Sequence, residues 1–113
     1  MHLFIFDYQG TLTTLPDPVR FIAALRLRFP RARVVLHSGS VRSEIPEGVL
    51  AAVDDFWEKP YSLSKLADEP FDEVTIVDDE TPLRRAMSRA LRDRPEGTWR
   101  VLDEGALLGL LQE

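Results

Sequence analysis

Short apolar runs of strand length alternate along this chain with segments of helical period. Two of the runs, Val34-Val-Leu and Val74-Thr-Ile-Val, are rich in β-branched residues and almost uninterrupted, as expected for strands that helices cover on both faces. Such alternation favours right-handed βαβ units around a parallel sheet. The sequence therefore predicts an α/β, Rossmann-like three-layer sandwich with a five-stranded parallel sheet.

The elements are positioned by these runs and by prolines, which disrupt the interior of a helix. The predicted strands lie near residues 2–6, 33–37, 55–57, 73–77 and 99–102. The predicted helices lie near residues 18–29, 47–54, 61–68, 81–93 and 103–112.

Length and composition limit the classes of protein that fit. At 113 residues the chain is predicted to form a single domain, residues 1–113, and it is too short to include a cap domain. Cysteine is absent, which excludes disulfides and thiolate zinc sites. No apolar stretch approaches the ~20 residues of a membrane span, and the net charge of −5 disfavours nucleic acid and anionic membranes as partners. We expect a soluble, cytoplasmic protein.

The helix predicted over 81–93 has one apolar face and carries many arginines on the others. Two interpretations of the arginines stay open: a solvated face whose later charges complement the helix dipole, or a patch that binds the phosphates of a polymeric substrate. The apolar face is predicted to pack on the sheet. It consists of Leu83, Ala86, Met87, Ala90 and Leu91, and the arginines occupy positions 84, 85, 89, 92 and 94.

Charged or hydroxyl side chains that could act together in one site follow four of the predicted strands. They are Asp7, Ser38, Lys59 and the pair Asp78-Asp79. In open α/β sheets, ligands bind beyond the carboxyl ends of the strands, so these groups are expected to meet at one edge. A nucleophilic carboxylate, a hydroxyl, an ammonium and an acidic pair are the groups needed to handle a phosphoryl group with a divalent metal.

The same segments, in this order, resemble the four motifs of the haloacid dehalogenase-like hydrolases, a superfamily with a Rossmann-like core and mostly phosphatase members. Asp7-Tyr-Gln-Gly-Thr-Leu-Thr resembles the first motif, and Ser38 after Val34-Val-Leu-His resembles the second. Lys59-Pro60 resembles the third, and Asp78-Asp79 resembles the fourth. Receiver domains of two-component signalling use similar residues in a different order, with the acidic pair after the first strand.

The resemblance implies that Asp7 forms an aspartyl-phosphate with the help of Mg²⁺. The metal would be held by Asp7, by the backbone carbonyl of Gln9 and by the fourth motif, where we favour Asp79 as ligand and Asp78 as its support. The alternative for the pair is that both aspartates simply begin the following helix.

The phosphoryl group would be bound by Ser38, the Gly39 turn and Lys59, and also by Gly10 and Thr11 in the loop after the nucleophile, a loop that Thr11 is expected to secure. For Ser38 the alternative is a turn or capping role, and for Lys59 a position on the surface. His37 is interpreted as a strand residue and not as a ligand.

Gln9 differs from the first motif of this superfamily, because its phosphatases have an aspartate two positions after the nucleophile. A carboxamide has no titratable proton at neutral pH, and general acid–base assistance is worth roughly 10²–10⁴-fold. Alkyl phosphates should therefore be poor substrates, and aryl or acyl phosphates should suffer less.

Two hypotheses for function follow. The first is a Mg²⁺-dependent phosphohydrolase or phosphotransferase acting on a phosphorylated small molecule or macromolecule. Because the chain is too short for a cap domain, the site would be open, and the second subunit of a homodimer could cover it. The second is a catalytically silent relative that binds a phosphorylated ligand or a protein partner. End-processing of nucleic acid is a third idea, motivated by the arginines and opposed by the net charge.

Overall fold

Five parallel strands form one sheet, which makes the chain an α/β, Rossmann-like three-layer sandwich as predicted. A computed structural model describes residues 1–59, 62–68, 70–94 and 96–113. The strands follow the spatial order β3-β2-β1-β4-β5. They are β1 (His2–Asp7), β2 (Arg33–Ser38), β3 (Asp55–Glu58), β4 (Glu73–Val77) and β5 (Thr98–Leu102).

Five α-helices connect or follow these strands. They are α1 (Pro18–Arg28), α2 (Glu47–Ala52), α3 (Ser62–Asp68), α4 (Thr81–Arg92) and α5 (Leu107–Leu110), with 3₁₀ turns at Leu12–Thr14, Arg42–Glu44 and Glu104–Ala106. Among the described residues, none of these helices has the length and apolar character needed to cross a bilayer. The same residues contain no inserted cap domain.

The predicted strands agree with the observed ones to within a residue at either end, but two helices are shorter than predicted. The second ends at Ala52, because Val53 already has extended backbone angles. The last is a 3₁₀ turn followed by a single helical turn, in a segment weakened by Gly105 and Gly109, whose helix propensity is low. Position 61, where the third helix was predicted to begin, lies outside the described residues.

Local signals account for where the longer helices begin. The Asp17 carboxylate caps α1 by accepting a hydrogen bond from the backbone N–H of Arg20 at 3.1 Å, and Pro18 occupies the first turn. Helix α4 begins after Glu80 and also has a proline, Pro82, in its first turn.

The sheet separates two apolar cores. On one face, Phe4 and Phe6 of β1 pack with residues of α1, α2 and α5. On the other face, Leu3 and Ile5 pack with Trp57 and with residues of α3 and α4. The apolar face predicted for α4 is confirmed: Met87 and Leu91 are fully buried, and Leu83 and Ala90 are partly buried.

The order of the strands determines where a ligand site can form. After β1 the chain proceeds through β2 to β3 on one side, and β4 and β5 lie on the other side. Since the strand order reverses between β1 and β4, the crevice beyond their carboxyl ends is the position where open α/β sheets bind ligands. Asp7 ends β1 at this crevice, and Asp78 immediately follows β4.

The packing of α4 on the sheet gives a test of the fold. Replacing Leu91, which is fully buried, with alanine should lower the free energy of unfolding by about 2–5 kcal/mol, because it removes apolar contacts and leaves a cavity. Leu108→Ala is the matched control, since that side chain is 63% exposed, and it should change stability by less than about 0.5 kcal/mol. Urea denaturation of both variants measures the difference, and equal effects would contradict this packing.

Candidate functional site

Asp7 is a buried carboxylate with a hydrogen-bond or ion-pair partner on each oxygen. It is only 2% exposed. Its Oδ2 accepts a hydrogen bond from the Thr11 hydroxyl at 3.2 Å, and its Oδ1 lies 2.9 Å from the Lys59 Nζ. Thr11 is itself fully buried, so it orients Asp7 from within the loop that follows β1. The Thr11 hydroxyl thus ties the loop to Asp7, while a direct contact between Thr11 and phosphate stays a prediction.

Lys59 connects the carboxylates at the ends of two strands. Its Nζ lies 2.9 Å from Asp7 Oδ1 and 3.0 Å from Asp78 Oδ2. Burial by itself would lower the pKa of Lys59, but the bonds to these two carboxylates outweigh it and the pKa is raised. Lys59 therefore carries a full positive charge at neutral pH. Pro60, the other residue of its motif, lies outside the described residues.

The two aspartates after β4 differ in their surroundings. Asp78 is fully buried, and its Oδ1 accepts the backbone N–H of Glu80 at 2.8 Å while its Oδ2 pairs with Lys59. Burial is the main reason that the pKa of Asp78 is raised, although the Glu80 N–H and Lys59 oppose it. Asp79 is the most exposed of the three acidic residues at this edge. Asp78 therefore forms a turn that precedes α4, whose N-cap residue Glu80 has, among the described residues, no side-chain capping bond.

Asp7, Asp78 and Asp79 form a compact group of oxygen ligands. One carboxylate oxygen from each lies within 4.8 Å of the others. Carboxylate oxygens are the ligands that Mg²⁺ and Ca²⁺ take in proteins, so the donor set fits a hard divalent cation. Asp79 is the most exposed of the three, so it is the carboxylate most accessible to such an ion.

The crowding of acidic groups alters the protonation of Asp7. Burial, followed by the hydrogen bond with Asp79, raises the pKa of Asp7 to about 7, and the bond with Lys59 opposes this rise. Without a further positive charge, Asp7 thus holds a proton for part of the neutral pH range. A cation bound between Asp7 and Asp79 would favour the ionised form.

The loop after Asp7 approaches Asp79 closely at Gly10. Gly10 has φ +77°, and a Cβ at this position would overlap the Asp79 carboxylate. Its N–H donates to the Thr13 hydroxyl at 2.9 Å. Gln9 is exposed beside it, and in the part of the chain that the structure describes its carbonyl accepts no hydrogen bond. The Gln9 carbonyl oxygen is thus free to contact a metal ion, and the contact itself stays a prediction.

Ser38 and Gly39 lie at the end of β2, next to β1, the strand that ends in Asp7. Ser38 is buried, and its Oγ accepts the backbone N–H of Ser40 at 3.1 Å, which is a turn role. Gly39 is exposed, and the space where a side chain would project is empty. The predicted contacts of Ser38 and Gly39 with phosphate are not tested by this geometry.

His37 is a member of the site that the sequence interpretation missed. It is a strand residue, as predicted, but it is fully buried with its Nε2 3.3 Å from Asp78 Oδ2. Within the described residues neither ring nitrogen has a hydrogen-bond partner. Burial, assisted by the charge of Lys59, lowers the pKa of His37 far below its ordinary value, so the ring is neutral. The strand register, which pairs His37 with Asp7, brings it to the site, and sequence periodicity does not give that register.

Comparison of the chain with protein-family models, with curated proteins and with solved structures finds no match. The likeness to haloacid dehalogenase-like hydrolases therefore rests on the residues and spacings themselves.

The raised pKa of Asp7 predicts how stability depends on pH. Because the folded-state pKa exceeds that of the unfolded chain, protonated Asp7 stabilises the fold at low pH, and this stability is lost as the pH rises from about 4 through about 7. With metal removed, Asp7→Asn should therefore be more stable than the wild type at pH 8, by about 1–2 kcal/mol, with a smaller difference near pH 4.5. Denaturation at the two pH values, with the exposed Asp68→Asn as control, measures this. A less stable Asp7→Asn at pH 8 would contradict it.

Proposed function

We propose that the chain is a Mg²⁺-dependent phosphohydrolase or phosphotransferase of the haloacid dehalogenase-like type, acting through an aspartyl-phosphate on Asp7. The observation that carries the proposal is the arrangement of Asp7 between a lysine ammonium and a second carboxylate, at the reversal point of a parallel sheet. A nucleophile, a cation-ready acidic pair and a fixed positive charge are the main requirements of phosphoryl transfer.

The metal ligands in this proposal are Asp7, Asp79 and the backbone carbonyl of Gln9. Asp78 supports them, because it holds Lys59 in place while the Glu80 N–H fixes its own orientation. A bound Mg²⁺ would neutralise charge on Asp7 and on the phosphoryl oxygens, which otherwise repel each other.

In the first step, an oxygen of ionised Asp7 attacks phosphorus while the bond from phosphorus to the leaving oxygen breaks. The leaving group departs with that electron pair. Lys59, 2.9 Å from Asp7, favours the ionised carboxylate without ensuring it, and provides a point charge for a phosphoryl oxygen. Thr11 holds the other carboxylate oxygen in place during the attack.

Gln9 determines which leaving groups this site can expel. It cannot donate a proton, so the leaving group must be stable as an anion, as in aryl and acyl phosphates. In the second step water cleaves the aspartyl-phosphate, and Gln9 can orient that water but cannot take its proton. The phosphorylated enzyme should therefore accumulate, unless another acceptor removes the phosphoryl group.

The second candidate is a catalytically silent relative that binds a phosphorylated ligand or a protein partner. Gln9 is the observation that favours it, because the residue removes proton transfer without disturbing the buried arrangement of Asp7 and Lys59. Such a protein would keep the anion site and lose turnover.

Hydrolysis of an aryl phosphate in Mg²⁺ tests the proposal. The wild type should release phenolate in a metal-dependent reaction that Asp7→Asn abolishes. Gln9→Asp restores a titratable carboxyl at the exposed loop position, and it should raise the rate on an alkyl phosphate by roughly 10²–10⁴-fold, and less on the aryl ester. Asp68→Asn, which is exposed and outside the acidic group, should leave the rate unchanged.

The two candidates make opposite predictions for this assay. If no variant turns over and beryllofluoride leaves the Asp7 carboxyl unmodified by ¹⁹F NMR, the enzyme proposal fails and the silent candidate remains.

A further inference from the structure

The exposed side of α4 forms a cationic groove, separate from the acidic group at Asp7. The groove lies against Val101 of β5 and has a volume of about 330 Å³. Its residues on α4 fall at i, i+3, i+4, i+7, i+8 and i+11, which is a single stripe of the helix surface. They are Thr81, Arg84, Arg85, Ser88, Arg89 and Arg92.

The positive charges of this groove are not neutralised. Arg85, Arg89 and Arg92 are exposed, and within the described residues none of them forms an ion pair. Glu80 and Asp93 flank the two ends of the helix and pair with none of these three arginines. Like charges at i and i+4 destabilise a helix by about 0.2–0.5 kcal/mol per pair, so the stripe opposes the stability of α4.

The helix dipole explains only part of the stripe. Arg89 and Arg92 lie in the last turn, where cations complement the negative end of the helix. Arg84 and Arg85 lie near the positive end, where cations are unfavourable. A solvated face that merely complements the dipole would place its arginines late in the helix and not at both ends.

Arg84 connects the groove to the edge of the sheet that carries Asp7. Its Nη1 donates to the backbone carbonyl of Asp78 at 2.8 Å, and its Nη2 donates to the Thr81 hydroxyl at 2.9 Å. From this edge the stripe runs along α4 towards Arg92, a distance of about 16 Å at the usual rise of 1.5 Å per residue.

The chemistry of the groove matches a chain of phosphates. Arginine presents a planar fork of donors that binds phosphate oxygens in a bidentate manner, and Ser88 adds a hydroxyl between the arginines.

An exposed aromatic ring on this side of the sheet favours nucleic acid over other polyanions as the ligand of the groove. Trp99 is 37% exposed and lies two residues before Val101 on β5, so it is on the same face of the sheet as Val101, next to the groove but not among the residues that line it. Exposed aromatic rings beside a basic groove are the platforms on which single-stranded bases stack. We propose that the α4 groove binds single-stranded nucleic acid, with its phosphates on the arginine stripe and a base on Trp99.

The net charge of −5 lowers the expected affinity for nucleic acid but does not change where on the molecule it would bind. Composition disfavours nucleic acid for the molecule as a whole, so the affinity should be modest and should fall steeply with salt. An acidic protein segment could also pair with arginine, but it has no bases to stack on Trp99. The binding does not require phosphoryl transfer at Asp7, so the two proposals fail separately.

Fluorescence anisotropy with a labelled oligodeoxythymidine of about a dozen nucleotides tests the proposal, in EDTA to prevent turnover. The variant R85Q/R89Q/R92Q should bind at least tenfold more weakly, and its slope of log affinity against log salt should be shallower by about 2, since each phosphate contact contributes about 0.7. The matched control is R20Q/R28Q/R31Q, which removes three exposed arginines elsewhere and should bind like the wild type. Trp99→Ala should weaken the oligonucleotide about tenfold and leave polyphosphate binding unchanged.

Three results would overturn the proposal, provided that circular dichroism shows all variants to be folded. One is the absence of salt-dependent binding by the wild type. Another is an equal loss in both triple variants, which would mean that only net charge matters. The third is binding of polyglutamate as tight as that of the oligonucleotide and insensitive to Trp99→Ala, which would assign the groove to an acidic protein segment.

Discussion

Lys59 supplies a largely buried positive charge that helps three carboxylates to share one edge of the sheet. Its ammonium pairs with Asp7 and with Asp78, both almost completely buried, and so compensates part of their cost of desolvation. One lysine cannot balance three carboxylates, and burial together with the hydrogen bond to Asp79 raises the pKa of Asp7 to about 7. The donor set of this cluster fits a second positive charge, and the proposed divalent cation at Asp7 and Asp79 would provide it.

The sheet provides the rigid frame that this cluster needs. Asp7, Asp78 and Lys59 come from the ends of three different strands, and the parallel register of β1 with β2 and β4 sets their heights. Leu3 to Phe6 have no exposed surface, so the strand before Asp7 is held on both faces. Rigid strands thus fix groups that repel one another, which is the usual cost of building a reactive site on a stable fold.

Most of the fold could be predicted from the sequence, because strands that are buried on both faces leave continuous β-branched runs such as Val34-Val-Leu. The last helix was predicted too long, since Gly105 and Gly109 interrupt an otherwise apolar, helix-like pattern. At the site, Asp7 and Lys59 were predicted to meet, and they do. The contact of His37 with Asp78 was missed, because it depends on the register of β2 against β1, which sequence periodicity does not give. The approach of Gly10 to Asp79 depends in the same way on tertiary packing.

The direct test of this account is a pH titration of the Asp7 carboxyl carbon by ¹³C NMR, with and without Mg²⁺. Without metal, the account predicts a midpoint near 7, because burial and Asp79 favour the protonated form. Saturating Mg²⁺ should lower that midpoint by at least one pH unit, and Asp79→Asn should weaken the response. A midpoint near the ordinary value of about 4 in the absence of metal, or a midpoint that Mg²⁺ leaves unchanged, would contradict the claim that these carboxylates form one cation site.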